Sequence, residues 1–300
     1  MDIRHYHRTT LVPVDFSKGS EEALTHALQI ADMIEDQNAG VTVLHVLEDT
    51  ELELHDAWQL EGGTDPIALM LEGTRYRFEQ LKLAIGKHSR KDFNALIVGG
   101  YAFRQIVKVA RIIDADSIVM GTQGARGWRK FLGTTASRII QHAHCPVVVL
   151  NEFHPQRALY QSIILPLDFT KETQHKITWA ARTGHYFGST VHIVTVREDD
   201  ERLARSIELR VRKAAEYLEQ QGVKTEAHQL VEVKRNFAMA TLQFAREKHA
   251  DLIMIMTQQE RSLGEYLFGS YAQQIVMQSE VPVMCITPRT KLKNAFQKVE

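Results

Sequence analysis

Between Asp116 and Ile140 the chain reads Asp-Ser-Ile-Val-Met-Gly-Thr-Gln-Gly-Ala-Arg-Gly-Trp-Arg-Lys-Phe-Leu-Gly-Thr-Thr-Ala-Ser-Arg-Ile-Ile. Gly121, Gly124 and Gly127 recur at three-residue spacing in a segment that also carries Arg126, Arg129 and Lys130. Gly133 then opens a helical pattern with Thr134, Thr135 and Ser137 in its first turn. Such a pattern can bind an anion. The first N–H groups of a helix have no intrahelical partner, and the dipole favours negative charge there. Glycine lets a phosphate approach the backbone more closely than a Cβ permits. The competing reading is that the glycines only shape a turn. A second candidate is Asp15, in Leu11-Val-Pro-Val-Asp-Phe-Ser-Lys18. It can face a ligand or cap the helix that follows, although Ser17 and Ser20 are the better caps.

These residues must be positioned by a repeated unit. Leu11-Val-Pro-Val-Asp-Phe-Ser-Lys18 returns as Ile164-Leu-Pro-Leu-Asp-Phe-Thr-Lys171, at an offset of 153. Val41–Val46 matches Val191–Val196 at 150, Ala115–Gln123 matches Ala250–Gln258 at 135, and Cys145–Leu150 matches Val281–Ile286 at 136. Order is kept throughout, so a whole domain is duplicated. The falling offset assigns about fifteen extra residues to the first copy, between Glu48 and Pro66. The expected domains are residues 1–151 and 160–288, followed by a polar tail over 289–300.

In the first copy, periodicity predicts strands at 10–15, 41–47, 93–99, 117–121 and 146–150. Helices are expected at 19–35, 66–88, 102–113 and 134–143. The second copy repeats the strands at 162–167, 190–196, 224–232, 251–256 and 282–287, with a helix near 202–221. The fold class is therefore α/β: two tandem, doubly wound, open parallel five-stranded sheets with helices on both faces. Right-handed crossovers give the strand order 3-2-1-4-5. Ligands in such sheets sit beyond the carboxyl ends of the strands at the switch point, here between strands one and four. Asp15 ends the first and Gly121 the fourth.

The arrangement resembles the universal stress protein family in its tandem form, over residues 8–151 and 160–288. The Val-Pro-Val-Asp-Phe-Ser opening, the glycines after strand four, Gly133-Thr134 and the Cys-Pro-Val-Val-Val ending carry the likeness. The resemblance implies an adenine nucleotide, ATP with or without Mg, held in the first domain. Asp15 would hold the adenosine, and the backbone of Val46 would read the adenine. Gly121, Gly124, Gly133 and Thr134, with Thr135 beside them, would hold ribose and phosphates. In the second copy Asp168, Val196, Gly269 and Ser270 are kept, but Met256 replaces Gly121 and Gln259 replaces Gly124. Glu260 and Glu265 add charge that repels phosphate. The second site is therefore expected to be degenerate. In the first copy eight residues separate Gly124 from Gly133, one fewer than the family pattern.

Composition narrows the classes. Basic and acidic side chains number 36 and 37, so nothing draws the chain as a whole to nucleic acid or an anionic membrane. No run is long enough to span a bilayer, and the first residues lack a signal-peptide core. Cys145 and Cys285 fall in strand contexts, as buried thiols of a reducing cytoplasm do. His142-Ala-His144-Cys145 offers metal-ligand atoms, but no second cluster completes a tetrahedral site, so no metal is expected. No phosphate-binding Gly-Lys-Ser loop, nucleophile elbow or dinucleotide fingerprint is present, and no general base can be named. A nucleotide-responsive stress or regulatory protein is the favoured reading. A scaffold acting through protein contacts alone and a weak ATP hydrolase are the alternatives. The apolar fifth strands, Pro146–Leu150 and Pro282–Ile286, need cover, which predicts pairing of the two domains as a pseudo-dimer. Family tendency adds a homodimer.

Overall fold

The central strands of the chain are near-continuous apolar runs, as a parallel sheet covered on both faces requires, whereas Phe93–Gly99 and Lys224–Leu230 are mostly exposed or half-buried. A computed structural model describes residues 9–34, 40–48, 66–85, 89, 91–122, 133–151, 159–167, 173–230, 236–260, 266–268, 270–287 and 290. The chain divides into two compact units, the first holding Met1–Leu150 and the second Asn151–Pro288.

In the first unit β1 (Thr9–Pro13), β2 (Gly40–Leu47), β3 (Phe93–Gly99), β4 (Ser117–Gly121) and β5 (Val147–Leu150) alternate with α1 (Lys18–Met33), α2 (Pro66–Ile85), α3 (Ala102–Ile112) and α4 (Thr134–His142). Every pairing is parallel, and the order is β3-β2-β1-β4-β5. Helix α1 begins where the Ser17 side chain accepts the Ser20 N–H, one of the donors a helix start leaves unpaired. It buries Ala23, Leu24, Ala27, Leu28 and Ala31, one stripe at three- and four-residue spacing. Helix α4 buries Ala136, Ile139 and Ile140 in the same way.

The second unit repeats the plan with β6 (Ser162–Pro166), β7 (Thr190–Val196), β8 (Lys224–Leu230) and β9 (Leu252–Met256). Its helices are α5 (Thr173–Phe187), α6 (Glu201–Gln220), α7 (Phe237–Glu247) and α8 (Ser270–Gln278). A last strand, labelled β12 (Val283–Ile286), completes the order β8-β7-β6-β9-β12, again parallel. Counted within each unit, both sheets are 3-2-1-4-5. Between β9 and α8 the sequence reading has no strand. The structure places there a short antiparallel ribbon, β10 (Gln258–Glu260) with β11 (Tyr266–Phe268). The expected insertion near Glu48 to Pro66 lies almost wholly outside the described residues.

The aspartate of each Ala-Asp pair fixes the central register. Asp116 Oδ2 accepts the Thr9 N–H at 3.0 Å. Asp251 accepts the N–H groups of Gln161 and Ser162 at 2.8 and 3.0 Å. These carboxylates satisfy donors at the first strand of each sheet that would otherwise be left without a partner. Cys145 and Cys285 are both buried and neither is in a disulfide, and burial pushes the Cys285 thiol up, so it is inert packing.

Candidate functional site

The crevice of the first unit opens where β1 and β4 part. Their register pairs Thr10 with Ser117 and Leu11 with Ile118. Carried four residues onward, it sets Asp15 level with Thr122. Asp15 is exposed, and its Oδ1 accepts both the N–H of Ser17 at 3.0 Å and the Ser17 hydroxyl at 2.5 Å. The helix cap is Ser17, as the sequence suggests, so Asp15 orders the cap rather than serving as it.

Phe16 holds the tip of β1 in a left-handed backbone conformation, φ 58°, which a bulky residue adopts only when its surroundings compel it. Its ring lies 4.8 Å from that of His45 and 5.3 Å from that of Phe78, with the Arg77 guanidinium 4.9 Å from its centroid. His45 Nδ1 lies 2.8 Å from the Val14 carbonyl oxygen. A carbonyl can only accept, so Nδ1 carries the proton. Sequence reasoning missed this brace, because only strand register brings His45 beside Val14.

Val46 stands where the resemblance asks for exposed backbone. The Leu44 carbonyl accepts the Val14 N–H on the β1 side, and the Leu47 carbonyl accepts the Gly100 N–H on the β3 side. Alternation therefore turns the Val46 peptide toward β1, beyond the last β1–β2 rung at Pro13 and Leu44.

The glycines divide into two kinds. A Cβ at Gly121 would lie 2.6 Å from the Gly19 carbonyl oxygen, so β4 passes against the backbone of the first turn of α1. The resemblance gives Gly121 to ribose and phosphates; the packing of β4 on α1 also requires a glycine there. Among the described residues a Cβ at Gly133 would meet nothing within 4 Å, and its φ of −55° suits any residue. Gly133 caps α4 with no side-chain hydrogen bond, and Gly133 and Thr134 are exposed while Thr135 is half-buried. Among the described residues nothing gives a reason for a glycine at this helix start. Gly124, Gly127, Arg126, Trp128, Arg129 and Lys130 lie outside the described residues.

The second unit keeps the frame and changes the lining. Val194 accepts the Leu167 N–H and Leu230 the Arg197 N–H, so Val196 occupies the register position of Val46. Met256, in place of Gly121, is buried at 5 % exposure. Gln259, in place of Gly124, is a rung of the antiparallel ribbon, paired with Leu267. Lys176 stands where the first copy has Ala23; it is buried and donates to the Pro166 carbonyl at the end of β6. Ser270 begins α8 and is exposed. Asp168, Gly269 and Glu265 lie outside the described residues.

The model of the universal stress protein family matches residues 7–151 and again 159–287. The chain belongs to the universal stress protein family. A universal stress protein of Methanocaldococcus jannaschii is 30% identical over 147 residues, covering 49% of this chain and 83% of that protein. Universal stress protein A homolog 1 of Coxiella burnetii is 26% identical over 151 residues, 49% of this chain and 96% of its own. Each thus corresponds to about half of a chain in which the universal stress protein domain occurs twice. The whole chain is matched by the crystal structure of a universal stress protein from Archaeoglobus fulgidus. It is 20% identical with a TM-score of 0.69, covering 94% of this chain and 97% of that one, a likeness of fold. Among the described residues no helix is long and apolar enough to cross a membrane.

Proposed function

We propose that the first domain binds an adenine nucleotide, ATP with or without Mg, and that the chain acts as a nucleotide-responsive stress protein. The second domain supports the first and has lost the site. The observation that carries this reading is the start of α4. Among the described residues neither sterics nor backbone conformation explains Gly133, which stands at an exposed helix N-terminus across the switch point from Asp15. A phosphate seated there supplies the missing reason for glycine. The Val46 peptide, turned into the same crevice, suits the edge of a base, and the Asp15 carboxylate suits ribose or adenosine hydroxyls.

A scaffold that works through protein contacts alone draws support from Gly121 and Asp15, which both have duties inside the fold. Titrating ATP into the full chain by calorimetry separates the two. The proposal expects a single site, weakened about 10- to 100-fold in Asp15→Ala, the effect of losing a hydrogen bond to a charged group. Heat of dilution alone, or an isotherm untouched by Asp15→Ala, favours the scaffold. A cytoplasmic setting and association of two chains belong to the same proposal.

A further inference from the structure

On the sheet of the second domain, away from the crevice, three groups with lone pairs converge. His192 Nδ1 on β7 lies 3.2 Å from Glu226 Oε2 on β8. His228 Nε2, two residues further along β8, lies 3.4 Å from the same Oε2. The two ring nitrogens are 3.3 Å apart. We propose that His192, Glu226 and His228 form a site for a divalent transition ion of the Zn²⁺ class, with the fourth coordination position open to solvent.

The first argument is geometric. Zinc bonds of roughly 2.0–2.2 Å to nitrogen and oxygen, at the tetrahedral angle, set neighbouring donors about 3.3 Å apart. The observed triangle has sides of 3.2, 3.3 and 3.4 Å, made by the same three atoms throughout. Two imidazoles and one carboxylate are also the ligand set of three-ligand zinc sites that keep a position for water.

Hydrogen bonding alone serves these atoms poorly. For both imidazoles to donate to Oε2, both facing nitrogens must carry protons, and two N–H groups then confront each other across 3.3 Å. A cation at the centre takes all three lone pairs at once. An ion can enter from solvent, because the Glu226 side chain is 39% exposed and that of His228 23%.

Strand chemistry makes the triangle. Glu226 and His228 stand at i and i+2 on one face of β8, and the register sets His192 opposite Glu226. The equivalent positions of the first domain are Thr42, Asn94 and Leu96, which offer no such set. Lys248 Nζ lies 3.4 Å from Oε2 and 5.7 Å from the centroid of the Phe244 ring. Its ammonium is the rival cation for the carboxylate, and the ring keeps it company when a metal displaces it.

The test is titration of the metal-free full chain with Zn²⁺ by calorimetry and with Co²⁺ by visible absorption. Expected are one Zn²⁺ per chain and the intense bands of four-coordinate cobalt. Affinity should fall by roughly 100-fold or more in Glu226→Gln and in His228→Ala, since even removing groups behind the ligands costs 10- to 100-fold. Both variants change half-exposed side chains, and circular dichroism verifies their fold; buried His192 is left intact. Lys248→Met should tighten the site several-fold. No binding, a six-coordinate cobalt spectrum, or affinity unchanged in Glu226→Gln and His228→Ala overturns the proposal.

Discussion

The two domains share one sheet order and one register yet differ at the proposed nucleotide and metal sites. Both tie the first strand to the fourth through an aspartate, Asp116 or Asp251, and both turn a valine peptide into the crevice, Val46 or Val196. At the lips they diverge. Where the first domain has Gly121, packed against the Gly19 backbone, and Ala23, the second has buried Met256 and Lys176, and the β10–β11 ribbon follows β9. On the sheet the divergence runs the other way, since only the second domain carries His192, Glu226 and His228. Duplication of a fold preserves what closes backbone hydrogen bonds and packs strands. Side chains that meet ligands are free to diverge, because the sheet does not depend on them.

Exchanging Gly121 and Met256 breaks the comparison most severely. Gly121→Met drives a side chain into the Gly19 backbone, with its Cβ starting 2.6 Å from the carbonyl oxygen, and should cost the first domain roughly 3–5 kcal/mol. Met256→Gly should cost the second a similar amount by leaving a cavity. Denaturant unfolding followed by hydrogen exchange within each domain reads both. Equal tolerance of Gly121→Met and Gly121→Ala, with no loss of stability in either, would contradict the close approach of β4 to α1.

Acid should act on the two domains in opposite directions. Burial lowers His26 in α1 to about 4, so the unfolded chain takes the proton first as pH falls. The stability this gives is present above pH 6.5 and is lost as pH falls toward 4. Burial raises Asp251 to about 6 against the hydrogen bonds from Gln161 and Ser162. Its contribution is present below the unfolded value of 3.8 and is lost as pH rises through 6. Each amounts to something on the order of 3 kcal/mol at 1.36 kcal/mol per unit. Between pH 7 and pH 4 the first domain should weaken relative to a His26→Leu variant, and the second should strengthen relative to Asp251→Asn. Parallel thermal-melt profiles for wild type and both variants would remove this contrast.

The smallest effect on stability is expected at Gly133→Ala. Among the described residues nothing stands within 4 Å of the new Cβ, and the backbone is ordinary, so unfolding should shift by less than about 0.5 kcal/mol. ATP affinity should nonetheless fall about tenfold, because the methyl group would stand where the proposed phosphate approaches the backbone. An unchanged affinity would show that Gly133 has no ligand.

Much of this was legible in the sequence. The repeat from Leu11 to Ile164 and the apolar runs delivered ten strands to within two residues at each end, because core strands covered on both faces leave a periodic trace. Helix α4 starts at Thr134, where Gly133 and the hydroxyls predict. What escaped depends on register and approach. The reason for Gly121 lies in Gly19, a hundred residues away, and the His45–Val14 bond exists only once β1 and β2 pair. In the β10–β11 ribbon, β10 is three polar residues (Gln-Gln-Glu) and β11 (Tyr-Leu-Phe) is only three residues long, too short for an alternation to carry a strand signal. His192 and the Glu226-Ala-His228 stretch look like unrelated polar points until the β7–β8 register sets them side by side, so a search for clustered ligands misses them.

The central claim is one working nucleotide site and one retired one. It is tested most directly by denaturing the purified chain and quantifying released adenine nucleotide by chromatography, for wild type and for Gly124→Gln, which imports the residue of the second copy. The account predicts close to one nucleotide per wild-type chain and almost none per Gly124→Gln chain. Two per chain would show that Met256 and Gln259 leave the second crevice competent, and none, with no uptake of added ATP, would contradict nucleotide binding altogether.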